Sequence, residues 1–105
     1  MKKPYPLVFD DVILKQLKKA SKNQQIKRLL AKMLDKLELI GPLAGDLLDS
    51  KLFIYELKNK HPPIRLYFKH NTTTDEIYVF EFEMKTSPVK QRKTINKLKK
   101  KILKS

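Results

Sequence analysis

The sequence predicts an α+β fold of order β-α-α-β-β-β-α, and three observations predict it. Apolar residues recur at helical spacing across residues 10–40. The period then drops to two in three runs between residues 52 and 84. After Pro88 it returns to helical spacing in a strongly basic tail. A pair of amphipathic helices and an antiparallel meander each have one apolar face, and each can cover the other. The 105 residues suit one domain, spanning 1–105.

Each element has a local reason. Residues 4–9, PYPLVF, read as a short strand, and Pro4 and Pro6 put it at a sheet edge because proline cannot donate to a ladder. From Asp10 onward Ile13, Leu17 and Ala20 form a stripe, with Asp10 and Asp11 at the positive end of the helix. Ser21 to Asn23 interrupt it. Ile26, Leu29, Leu30, Met33, Leu34 and Leu37 make the stripe of a second helix, which Gly41-Pro42 stops. Residues 42–50, PLAGDLLDS, read as a loop. LFIYELK (52–58), IRLYFK (64–69) and IYVFEFEM (77–84) read as strands joined by the turns NKHPP and HNTTTDE. Ser87 suits an N-cap and Pro88 a first helical position. Val89, Ile95, Leu98 and Ile102 give this last helix a narrow apolar stripe among lysines.

Strict alternation divides the meander into two faces. Phe53, Tyr55 and Leu57, then Ile64, Leu66 and Phe68, then Tyr78, Phe80, Phe82 and Met84 face the helical pair. The other face carries Ile54, Glu56, Lys58, Arg65, Tyr67, Lys69, Ile77, Val79, Glu81 and Glu83, and no predicted helix covers it. A guanidinium in mid-strand reads either as a cross-strand ion pair with Glu56 or Glu81 or as part of a working surface. Tyr67 reads either as a packed surface residue or as a stacking platform for a base.

Composition narrows the chemistry. There is no cysteine, so disulfides and thiolate metal sites are excluded, and a reducing compartment suits the chain. His61 and His70 fall in turns without metal-ligand spacing, and no metal or cofactor is expected. Two glycines leave no glycine-rich phosphate loop. No apolar run approaches a membrane span, and the first residues do not read as a signal peptide. The net charge is +13, and from Lys85 to Ser105 there are nine basic residues and no acid. This asymmetry suits a polyanion: nucleic acid first, an acidic protein next, an anionic membrane third; as a structural matter it reads as a solvated helix face.

The chain resembles the RelE/ParE toxin superfamily, including its HigB-like members. The resemblance rests on the element order, on PLAGDLLDSKLFIYELK followed by PPIRLYF, and on an aromatic strand end running into Lys85, Thr86, Ser87 and Pro88. It covers nearly the whole chain. It departs from the family pattern at Ile64, where a tyrosine is usual, and there is no Tyr or His after Tyr78.

The resemblance implies a cytoplasmic toxin of a type II toxin–antitoxin system. Such a toxin is a metal-independent endoribonuclease that cuts mRNA on the ribosome and leaves a 2′,3′-cyclic phosphate. It would contact rRNA and be blocked by an acidic antitoxin, with no membrane partner. Arg65 matches the arginine that grips the scissile phosphate, Lys58 a basic residue on the preceding strand, and Lys85 the basic residues after the last strand. Glu56 and Glu81 would orient Arg65 or act as base. Tyr67, Lys69, Lys90, Arg92, Lys93 and Lys97 would bind RNA. The alternatives are a ParE-like gyrase inhibitor and a catalytically inactive RNA-binding relative.

Overall fold

The computed structural model describes residues 3–84 and 87–104. The order is β1 (Leu7–Phe9), α1 (Asp11–Ala20), α2 (Gln24–Ile40), a 3-10 turn (Gly41–Ala44), β2 (Asp46–Asp49), β3 (Ile54–Asn59), β4 (Ile64–His70), β5 (Ile77–Met84) and α3 (Pro88–Lys104). The α+β class and the expected order hold, with one strand more. That strand is β2, inside the segment read as a loop. The five strands lie in the order β1-β5-β4-β3-β2; β1 runs parallel to β5 and the other pairs are antiparallel. The proline-flanked β1 is an edge strand, as its sequence requires.

Asp10 and Asn23 cap the two helices of the hairpin, accepting from Val12 N at 3.0 Å and from Gln25 N and Ile26 N at 3.0 and 3.2 Å. Gly41 ends α2 at φ +55°, where a Cβ would also sit 2.6 Å from the Tyr5 ring. Only glycine fits both demands. The hairpin lays Ile13, Ile26, Leu30, Met33 and Leu37 on Leu57, Ile64, Leu66, Phe68, Ile77 and Val79 of the sheet. Fully burying one such side chain contributes about 1.5–3 kcal/mol.

Two features of the faces differ from strict alternation. β5 changes phase midway: Tyr67 pairs with Glu81 and Phe68 with Val79, which leaves Phe80 as an extra residue. Before this bulge Ile77 and Val79 face the hairpin while Tyr78 and Phe80 face away. After it Phe82 faces the hairpin again. A bulge places two residues opposite one, so period two cannot hold across it. Phe53 lies in a turn at φ +56° and is not part of β3.

The second difference is larger. The face expected to be bare is covered by α3. Leu98, with Ile95 and Ile102 beside it, packs on Ile54, Tyr67 and Phe80 in a second apolar cluster. The helix stripe has residues enough to bury, and Ile54 and Phe80 supply the surface to receive it.

Asp10 ties this second layer to the first. It caps α1, accepts from the Tyr78 hydroxyl at 2.7 Å, and accepts from Lys101 Nζ at 3.0 Å. Burial alone would raise its pKa, but the Val12 amide, the Tyr78 hydroxyl and the Lys101 ammonium outweigh burial and hold it below the usual carboxylate value. Burial, then the Asp10 carboxylate, pushes the Tyr78 phenol up to about 12. A carboxyl depressed in the folded state stabilises above its unfolded pKa of about 3.9, and that stability is lost as pH falls through the folded value. Asp10→Asn therefore lowers stability at pH 7 by about 1 kcal/mol and flattens the acid limb of a denaturation series between about pH 5 and 2. An unchanged acid limb would count against this role.

Candidate functional site

The sheet end around Arg65 gathers two cations, Arg65 and Lys58, and two buried carboxylates, Glu56 and Glu83. In the cross-strand register Lys58 lies opposite Arg65 on one side, and Glu83 lies opposite it on the other. Arg65 Nη1 donates to both oxygens of Glu56, at 3.0 and 2.9 Å. Glu56 is 4 % exposed and also accepts from the Gln91 side-chain amide of α3. Lys58 Nζ stands 3.8 Å from Glu56 and 3.8 Å from Asp46. Two cations on adjacent strands therefore share one buried carboxylate. The side chains of Arg65 and Lys58 are 29 % and 49 % exposed, so both still reach solvent at this end.

Next along the face come two more buried glutamates, each held by α3. Glu83 accepts from Thr94 Oγ1 at 2.9 Å. Glu81 lies against Lys97, whose ammonium is 2.9 Å from one oxygen and donates to the other at 3.0 Å. Gln91, Thr94, Lys97 and Lys101 recur at helical spacing, so one face of α3 offers partners to Glu56, Glu83, Glu81 and Asp10 in turn. Buried carboxylates need such partners. Tyr67 is fully buried beneath them. Burial first, and then Glu83, drives its phenol far above its ordinary pKa. The Tyr67 hydroxyl and Glu83 Oε1 have no hydrogen-bond partner among the described residues.

The expected site residues divide accordingly. Arg65, Lys58 and Glu56 meet. Glu81 lies on Lys97 and not on Arg65, and Lys97 is partly engaged by that pair. Tyr67 presents no exposed ring for a base in this arrangement. Lys69 shares the face but stands four residues further along β4, roughly 13 Å away by strand rise. There it borders a cavity of about 400 Å³ with Tyr78, Phe80 and Lys101. Lys90, Arg92 and Lys93 are exposed on α3. Lys85 lies outside the described residues. The α3 partners Gln91 and Thr94 were not among the expected residues. Their signal was present in the helical register they share with Lys97 and Leu98, opposite three like-sided glutamates.

No family model and no curated protein matches the sequence. Solved structures do. A free variant of the Escherichia coli toxin RelE matches with a TM-score of 0.69 at 17 % identity, over 90 % of this chain and 97 % of that one. The RelBE2 toxin–antitoxin complex of Mycobacterium tuberculosis matches with 0.65 at 13 % identity, over 83 % and 98 %. Isolated E. coli RelE matches with 0.53 at 21 % identity, over 90 % and 98 %. These chains are matched almost end to end. The chain has the fold of the RelE toxins.

Proposed function

We propose that this protein is the toxin of a toxin–antitoxin system and that it cuts messenger RNA held on the ribosome. The observation that carries the reading is the placement of Arg65 and Lys58 side by side at an open sheet end, with Glu56 between them. The RelE-like fold and the net charge of +13 support it. A fork of guanidinium donors matches two phosphate oxygens. In the reaction the RNA 2′-hydroxyl gives its proton to Glu56 and attacks the adjacent phosphorus. Arg65 turns from Glu56 to the phosphate and stabilises its growing charge. Lys58 hands a proton to the departing 5′ oxygen, and a 2′,3′-cyclic phosphate remains. Solvent restores both protonation states. Lys85, which follows the last strand in the sequence, is assigned to the phosphate by the resemblance, and Lys69, Lys90, Arg92, Lys93 and Lys97 hold rRNA or the message. An acidic antitoxin complements the same charge, and the site of action is the cytoplasm.

Gln91 occupies the carboxylate that this chemistry needs, so the first turns of α3 must shift before RNA is cut. That contact favours a second reading, an RNA-binding relative that does not cleave. Primer extension on mRNA after induction separates the two. The nuclease gives new breaks within A-site codons. Growth arrest without such breaks leaves the binder, and DNA damage with intact translation points to gyrase instead.

A further inference from the structure

A second basic groove lies on the opposite side of the β3–β4 turn from α3, where α2 begins. It encloses about 490 Å³ and is lined by Gln24, Gln25, Arg28 and Lys32 of α2 and by His61 and Pro62 of the turn, with Leu29 at its base. Its polar lining contains no acid. The first turn of α2 carries none either. The acids of the helix, Asp35 and Glu38, stand in its second half, where Lys3 lies 3.8 and 3.2 Å from them. The positive end of the helix adds to the cationic field.

We propose that this groove binds single-stranded RNA, with Arg28 and Lys32 on neighbouring phosphates and a base resting on the His61 ring. Arg28 and Lys32 stand one helical turn apart, about 5–6 Å between Cβ atoms. They therefore present a short cationic row, which a flexible single strand can follow. His61 is exposed, and its planar ring beside Pro62 offers an unpaired base a face to stack on. The glutamine amides of Gln24 and Gln25 add neutral donors and acceptors for sugar or phosphate. His61 sits in the turn joining the strand of Lys58 to the strand of Arg65, so RNA in the groove is led toward that sheet end. The choice of RNA over other polyanions rests on the proposed toxin function.

The test uses the full chain and a labelled oligoribonucleotide, with binding followed by fluorescence anisotropy between about 50 and 200 mM salt. The double variant Arg28→Ala/Lys32→Ala is expected to bind about tenfold more weakly at the low-salt end. Its slope of log affinity against log salt should fall by about 1.4, the share of two phosphate contacts. His61→Ala should weaken binding about fivefold with the slope unchanged. Lys15→Ala/Lys22→Ala, which removes two exposed cations from outside the groove, serves as the control and should keep wild-type affinity within about twofold. Equal losses in both double variants, or an unchanged slope in the first, would overturn the groove. All the altered side chains are solvent-facing, and thermal melts of each variant verify folding. Because binding is read without ribosomes, the two proposals fail separately: A-site breaks can persist with no groove effect, and a groove effect can persist with no breaks.

Discussion

Arg65→Ala is expected to end growth arrest and to lower A-site cleavage by about 10²–10³-fold, the usual loss when one preorganised donor to a developing oxyanion is removed. The effect on folding is smaller and must be measured beside it. Glu56 is buried and would lose a two-pronged, charge-assisted partner, keeping Gln91 and the more distant Lys58. The Arg65 side chain is 29 % exposed, and solvent screens part of the pair, so the destabilisation is about 1 kcal/mol. A domain of this size then melts roughly 4–8 °C lower, which a thermal melt of the variant reads directly. Arg65→Lys sharpens the test. It keeps the charge near Glu56 but cannot span two phosphate oxygens. Its melting point should approach wild type while cleavage stays low. Undiminished breaks in folded Arg65→Ala would remove Arg65 from the chemistry.

Leu98→Ala is expected to destabilise the protein by about 2–5 kcal/mol, because Leu98 is fully buried between Ile54, Tyr67 and Phe80. Val89→Ala, on the same sequence stripe but 67 % exposed, should stay within about 0.5 kcal/mol. Urea denaturation midpoints of the two variants decide it. Similar midpoints would mean that α3 is not seated on the sheet in solution. The contrast matters for function, because α3 holds Glu56 through Gln91. A helix anchored by Leu98 keeps the carboxylate engaged, and a helix freed by alanine leaves it to Arg65 and Lys58.

The sequence made the hairpin, the three long strands and the last helix readable, because each carries a clear period and a stop or start signal. Asp10, Asn23 and Gly41 are such signals, and each acts as one in the structure. The faces of β3 and β4 were readable by alternation, which is why Arg65 and Glu56 were placed together. β2 was not readable. DLLD is short, charged at both ends and held by backbone pairing to β3 at a sheet edge, so no apolar pattern marks it. The seat of α3 was missed because a narrow stripe looks insufficient until its polar neighbours are counted. Gln91, Thr94 and Lys97 widen the contact by meeting glutamates. The groove at Arg28 depends on a turn more than thirty residues later, and no local spacing reports it.

The extra residue at Phe80 gives β5 a fixed length that its composition does not reveal. Drawing that residue into the regular ladder would invert every position beyond it. Glu81 and Glu83 would turn into the oily layer beneath the hairpin, and Phe82 would be handed to the lysines. Removing Phe80 itself would keep those facings and lose only one ring beneath Leu98, whereas a single-codon insertion beyond it should be far less tolerated than that deletion.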